Sequence, residues 1–336
     1  MHRRYFMTLL IVGFLIMASI YVSLTNGIFD ITVQDVLRTF FRIHPNEDVD
    51  LVIFDFRLPR IVIAGLVGMG LGVAGAVIQG VTRNGLADPG ILGINAGAGA
   101  AIVIFMFFFQ DTVTSTGWFG IMLLPLFGWV GGIGAAVLIY LFSWRNGTLD
   151  MSRLILTGIA IGTGFGALSL YISLKMNSSD FEMATVWVSG SIYNANWVYI
   201  MAILPWLVVF LPLIFKKASL LDLFQLEESS LKSIGVSVEK EKSILLLSSI
   251  GLVSACVSVS GSIGFVGLMA PHIAKRLVGI HHQHVLPVCG AIGMLLVILS
   301  DFIAKNIFAP AELPVGIVIS IIGVPYFLYL LVKTKA

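Results

Sequence analysis

Few side chains in this sequence are equipped for chemistry, and their positions narrow what the chain can do. His281, His282 and His284 lie within four residues, and histidines at i and i+3 can share a metal ion. No Cys, Asp or Glu stands near them in the sequence to complete a ligand shell, so the expected role is a polar turn ahead of Leu286-Pro287. Asp301 and His272 are the clearest ionisable groups inside otherwise apolar stretches. Such groups build proton and ion relays in membrane carriers. One acid near the end of its stretch is a slender relay, and structural pairing is the expectation for Asp301. Cys256 and Cys289 are isolated within apolar stretches, a pattern that implies neither a disulfide framework nor a metal site. No nucleophile elbow, phosphate loop or zinc-protease motif occurs. Nothing in the chain reads as catalytic, and no cofactor is expected.

The elements that must carry these residues are membrane spans. The 336-residue chain is 58% hydrophobic and 11% charged, with mean hydropathy +1.00, whereas soluble domains carry about 25% charged residues. A span takes about 20 apolar residues. Candidates lie near 5–24, 58–80, 92–110, 118–142, 153–174, 195–215, 243–260, 264–279, 285–304 and 314–332. The fold class is therefore all-α and polytopic, about ten transmembrane helices in one integral-membrane domain over 1–336. The eighth candidate is interrupted or crowded by Gly261, Gly264, Gly267 and Pro271. The opening His2-Arg3-Arg4 and its apolar run to Leu24 resemble a secretion signal, but the run is too long and no small-x-small site follows.

Basic residues set orientation. With the N-terminus in the cytoplasm, fourteen Lys and Arg fall on the inner side. Six fall outside: Arg38, Arg42, Arg57, Arg60, Lys175 and Lys305. Both termini are thus expected in the cytoplasm, and the formal charge of +2 reports topology, not a nucleic-acid partner. Three segments outside the bilayer are substantial. In 25–57, Val33, Val36, Leu37, Phe40 and Phe41 recur at helical spacing and predict a short interfacial helix. In 175–194, Trp187, like Trp197 just beyond the segment, sits where an aromatic belt is expected. The cytoplasmic stretch 216–242 predicts two short helices, with Gly235 as a helix terminator and Ser237 as the N-cap of the next span.

Glycines occupy 35 positions and recur four apart within spans, as at Gly68 and Gly72, Gly93 and Gly97, and Gly128 and Gly132. That spacing lines one helix face with bare backbone, so close packing is the first reading. A glycine face can also border a solute pathway. The fifth span, with Thr157, Gly158, Gly162, Thr163, Gly166 and Ser169, is the expected pathway wall.

Several ordered motifs then agree with one family. They are Arg57-Leu58-Pro59-Arg60, Arg83-Asn84-Gly85-Leu86-Ala87-Asp88-Pro89-Gly90-Ile91-Leu92-Gly93 and Leu156-Thr157-Gly158-Ile159-Ala160. The Trp187 and Gly190 segment, the Glu228 to Gly235 segment and Gly261-Ser262-Ile263-Gly264-Phe265-Val266-Gly267-Leu268-Met269-Ala270-Pro271-His272 follow. Asp301 and Ala311-Glu312-Leu313-Pro314-Val315-Gly316 complete the series. From Thr32 to Leu331 the chain resembles FecCD-type permeases, the membrane subunits of binding-protein-dependent ABC importers for ferric siderophores, haem and vitamin B12. The resemblance implies a type II importer fold like that of the vitamin B12 permease. It implies a second permease subunit, identical or paralogous, two ATPase subunits inside, and a solute-binding protein outside. It assigns Arg57, Arg60 and Lys305 to binding-protein docking, Glu227, Glu228, Ser230 and Gly235 to ATPase coupling, and Asn84, Met151 and Ser152 to an inner gate. Departures are Gly85 where Pro is common, Lys275 and Lys305 where Arg is common, and His281 where an acid is common. Lys305 keeps the charge but loses the bidentate fork. Ferric siderophore is the expected cargo, with cobalamin or haem as alternatives. An ion-coupled carrier using Asp301 and a membrane enzyme using the 281–284 histidines are the rival classes.

Overall fold

In the computed structural model, the described residues are 2–27, 31–43, 46–109, 117–145, 147–233, 235–307, 309 and 311–334. They form fifteen α-helices. The first are α1 (His2–Thr25), α2 (Val33–Phe40), α3 (Glu47–Asp50), α4 (Leu58–Thr82), α5 (Ile94–Phe109), α6 (Trp118–Ser143) and α7 (Met151–Ser173). The remainder are α8 (Ser178–Val188), α9 (Trp197–Lys216), α10 (Ala218–Leu223), α11 (Glu228–Ser233), α12 (Val238–Ser260), α13 (Val266–Val278), α14 (His282–Asn306) and α15 (Val315–Thr334). A π-helical turn, Leu51–Arg57, runs α3 into α4, and a 3-10 turn, Pro89–Leu92, precedes α5. A small antiparallel hairpin between α6 and α7 pairs Trp144 with Leu149 and Arg145 with Thr148.

Eight of these helices are long and apolar enough to cross a membrane; α5 and α13 are shorter. The 13 residues of α13 span about 20 Å, less than the ~30 Å of a hydrocarbon core. The reason is local: Gly261 and Phe265 both adopt positive φ, 67° and 64°, and break the path between α12 and α13. The expected third and eighth spans thus exist as helices, α5 over 16 described residues and α13 over 13.

α4 and α12 form the buried axis, each 83% buried over its apolar window, whereas α7 is 11% buried and lies at the periphery. The α4 glycines explain the tightness of that axis. A Cβ on Gly68 would lie 2.2 Å from the Gly293 carbonyl oxygen, and one on Gly72 would lie 2.5 Å from that of Cys289. Backbone thus meets backbone between α4 and α14, the use of four-spaced glycines seen in membrane helix pairs. Arg83 closes α4 in the left-handed region at φ 52°, its N–H bonded to the Gln79 carbonyl.

Outside the long helices, α2 forms as its periodicity predicts. Thr32 and Asp35 cap it reciprocally, and the Asp35 carboxyl is held below its ordinary pKa chiefly by the Thr32 side-chain hydrogen bond. The two short helices of 216–242 appear as α10 and α11. Residues 178–188 are also a helix, started by Asn177, whose side chain accepts the Asp180 N–H. Two expectations need correction. Trp187 is 8% exposed and belongs to the core, not to an aromatic belt. Ser237 occupies the N-cap position of α12 without making a side-chain cap bond.

Candidate functional site

The α4–α14 pair defines two ends of the bundle, one carrying Arg57 and Lys305, the other carrying Arg83 and His282. At the Arg57 end, Arg57, Arg60 and Lys305 all line one cavity of about 790 Å³, together with Asp301, Glu312, Tyr193 and the apolar side chains Val52, Phe56 and Ile61. The cations are placed by different means. Arg57 closes the π-helical turn and donates to the Leu24 carbonyl, and Lys305, on the last turn of α14, donates to the Ser23 carbonyl (3.2 Å) and hydroxyl (3.0 Å). Arg60 donates Nε and Nη2 to Asp301 Oδ1 and Nη1 to Glu312 Oε2, each at 2.8 Å. Its side chain is 13% exposed, and the Tyr193 ring lies 6.0 Å from its guanidinium carbon. Of the three residues expected to dock a partner, Arg60 is thus held inside an internal carboxylate clamp. Asp301 is structurally paired with Arg60, as expected. The second acid, Glu312, was visible in the sequence only as part of the Glu-Leu-Pro run.

A second cavity, about 570 Å³, is lined by α5, α7, α8 and the 262–264 turn: Asn95, Gly166, Ser169, Ser173, Thr185 and Ser262 contribute hydroxyl, amide and bare-backbone surface. No charged residue lines it among the described residues. Asn95 Nδ2 donates to Ser262 Oγ at 3.1 Å, and this bridge ties α5 to the turn before α13. A groove beside it, lined by Ser189, Ser262, Gly316, Ile317 and Ser320, continues along α15. The residues expected to line a pathway separate here. Gly166 and the neighbouring Ser169 border the cavity, whereas Gly158 and Gly162 pack against the Gly93 turn, whose own Cβ would lie 2.7 Å from the Gly158 carbonyl oxygen. Thr157 lies nine residues before Gly166 on α7 and does not line this cavity.

At the Arg83 end, the residues expected to couple to an ATPase sit on an anchored projection. Leu221, Phe224 and Leu231 are fully buried, while Glu227, Ser230 and Gly235 are exposed around them. Glu228 opens α11, and Gly235 takes the positive φ, 83°, expected of a helix terminator. Side-chain hydrogen bonds hold the projection to the bundle. Arg83 donates to the Leu226 carbonyl, and Asp222 Oδ1 receives both the His282 N–H (2.9 Å) and His282 Nδ1. His281 Nδ1 lies 3.6 Å from the other Asp222 oxygen. Asp222 is the partner that a sequence search near the histidines missed, since it is 60 residues away. His282 is 3% exposed and so is not part of a solvated turn. Of the residues expected to gate, Asn84 sits in the turn after α4 and caps Leu86 N–H, while Met151 and Ser152 open α7. Beside Asn84, the partly buried Asp88 accepts the Gly90 N–H, and burial pushes its carboxyl up to about 6 against that bond. Among the described residues, no group of three or more His, Cys, Asp or Glu side chains could hold a metal ion.

Eight helices long and apolar enough to cross a membrane, short helices at both ends and an uncharged cavity beside a peripheral helix make this a multi-pass membrane protein. The model of the FecCD transport family matches residues 15–333, and the chain belongs to that family. It is 55% identical over 321 residues to the iron-uptake system permease protein FeuC of Bacillus subtilis, covering 96% of each chain. It is 47% identical to the iron(3+)-hydroxamate import system permease protein FhuG of the same organism, covering 96% of this chain and 95% of that one. A solved inward-facing structure, described as a metal-chelate type ABC transporter, shares the fold with a TM-score of 0.82 at 29% identity. That match covers 97% of this chain and 98% of the other.

Proposed function

We propose that this chain is the permease subunit of an ATP-driven importer of ferric siderophores. In this reading it pairs with a second permease subunit, identical or paralogous, to enclose the pathway. Two ATPase subunits seat on the α10–α11 projection, and a solute-binding protein docks through acidic residues on the Arg57 end. Both termini are cytoplasmic in this arrangement. The observation that carries the cargo is the 55% identity, across almost the whole chain, to an iron-uptake permease.

The site chemistry supports the energy source. Asp301 is buried and its Oδ1 is paired with Arg60, which argues against a role as an ion-coupling carboxylate, and the 570 Å³ cavity offers no charged group to a coupling ion. Transport by this subunit is therefore driven from outside it, through movement of α10 and α11 and rigid-body tilting of the helices they hold. Gly166, Ser169 and the α15 groove form this subunit's share of the wall.

The test is uptake of ⁵⁵Fe-siderophore into proteoliposomes holding the permease pair and its ATPases, with the binding protein added outside the transported face. Uptake that requires ATP, and that Arg57→Glu together with Lys305→Glu abolishes, is the expected result. Uptake driven by a proton or sodium gradient without ATP overturns the reading. Arg57 and Lys305 are the informative positions, because replacing Arg60 also breaks the internal clamp.

A further inference from the structure

Arg60 is already engaged before any partner arrives. Its two carboxylate partners differ in a way that matters: Asp301 is 2% exposed within α14, whereas Glu312 is 22% exposed in the loop before α15. A carboxylate approaching from outside can replace Glu312 on Nη1 without entering the protein interior. Asp301, on Nε and Nη2, stays in place throughout. Exchanging one carboxylate for another keeps the buried guanidinium compensated at every stage, which avoids the penalty of an unpaired buried charge.

We propose that Glu312 is an intramolecular stand-in for an acidic residue of the solute-binding protein, and that docking exchanges the two on Arg60. This inference rests on the docking reading above. Its consequence lies in what Glu312 is attached to. One residue further, the Leu313 N–H bonds to the Ala304 carbonyl, and the Gly316 N–H donates to the Gly190 carbonyl at 2.9 Å. The first turn of α15 also touches the same chain reversal directly: a Cβ on Gly316 would lie 2.3 Å from the Ser189 carbonyl oxygen. Tyr193, the aromatic neighbour of Arg60, follows from that reversal. Ser189 lines both the 570 Å³ cavity and the α15 groove. Release of Glu312 therefore reaches the pathway wall across four residues, with no relay through the long helices. Docking and opening of the wall become one event.

The experiment measures the affinity of the binding protein that supports uptake in the reconstitution above for the permease–ATPase complex in nanodiscs. Glu312→Gln removes the competing charge and should tighten binding about fivefold, the scale of a partly exposed ion pair. It should also raise amide exchange across 313–320 in the undocked complex to the level the wild type reaches only when docked. If Glu312→Gln fails to assemble, Glu312→Asp, which withdraws the carboxylate by one methylene, should change both readouts in the same direction. Unchanged or weaker binding by the Glu312 variants, with Arg57→Glu and Lys305→Glu still abolishing it, overturns the exchange and leaves docking intact. If Arg57→Glu and Lys305→Glu leave affinity unchanged, the docking reading fails and the exchange fails with it.

Discussion

Replacing Asp301 by Leu tests how the Arg57 end is held together. Asp301 is 2% exposed and Arg60 13%, and two of the three guanidinium hydrogen bonds end on Asp301. Removing one member of a buried pair strands the other charge, at a cost of about 3–5 kcal/mol. Glu312 remains bonded to Nη1, so part of the compensation survives and the expected loss is at the lower end, about 3 kcal/mol. Arg60→Met should cost a similar amount by stranding Asp301. The double variant Arg60→Met/Asp301→Leu strands neither and replaces the pair with apolar bulk, a change that is often close to neutral. The double variant should therefore be more stable than the sum of the singles predicts, by about 3 kcal/mol or more. Denaturant unfolding of the purified protein in mixed micelles, followed by tryptophan fluorescence, supplies the four stabilities of the cycle. A coupling below about 0.5 kcal/mol, the range of independent sites, would refute the claim that Arg60 and Asp301 act as a buried pair.

Two further outcomes follow from the geometry. Gly68→Ala places a Cβ 2.2 Å from the Gly293 carbonyl, so α4 and α14 must separate; a loss of at least 1–3 kcal/mol, roughly the cost of overpacking, should appear in the same unfolding assay, and wild-type stability would contradict the backbone contact. Asp88 has a folded pKa raised from 3.8 to about 6, so its contribution is fully present below pH 3.8 and is lost as pH rises through about 6; Asp88→Asn should therefore stabilise the protein at pH 7.5, by at most about 3 kcal/mol, and flatten the dependence between those pH values, whereas an unchanged pH profile would show that the carboxyl is not desolvated.

Much of the fold was legible in the sequence because apolar runs of about 20 residues have few alternatives to a spanning helix. The α2 helix was equally legible, since its apolar periodicity is a local signal. The residues 178–188 were not, because that helix carries polar and apolar side chains without a clear stripe and its Trp187 looks interfacial until α5 covers it. The site divided in the same way. The clustering of Arg57, Arg60 and Lys305 at one end could be anticipated from motif and charge. Their different partners could not, because the carboxylates that hold Arg60 lie more than 200 residues away from it in sequence. Asp222 was hidden from His282 for the same reason. Gly158 and Gly166 share a spacing but not a neighbour: one meets the Gly93 turn, the other open space.

The backbone contact between α4 and α14 also makes that pair a lever. α4 alone has 25 residues, about 37 Å of helix, with the Arg60 clamp near one tip and the Arg83 bond to Leu226 at the other. Held against α14 by backbone contact at Gly68 and Gly72, it has little room to bend or slide. Displacement at either tip therefore returns at the other as rotation: a tilt of about 10° about one end moves the far end by roughly 6 Å over that length. The same glycines that make the bundle compact let one face of the membrane register, in ångströms, what happens at the other.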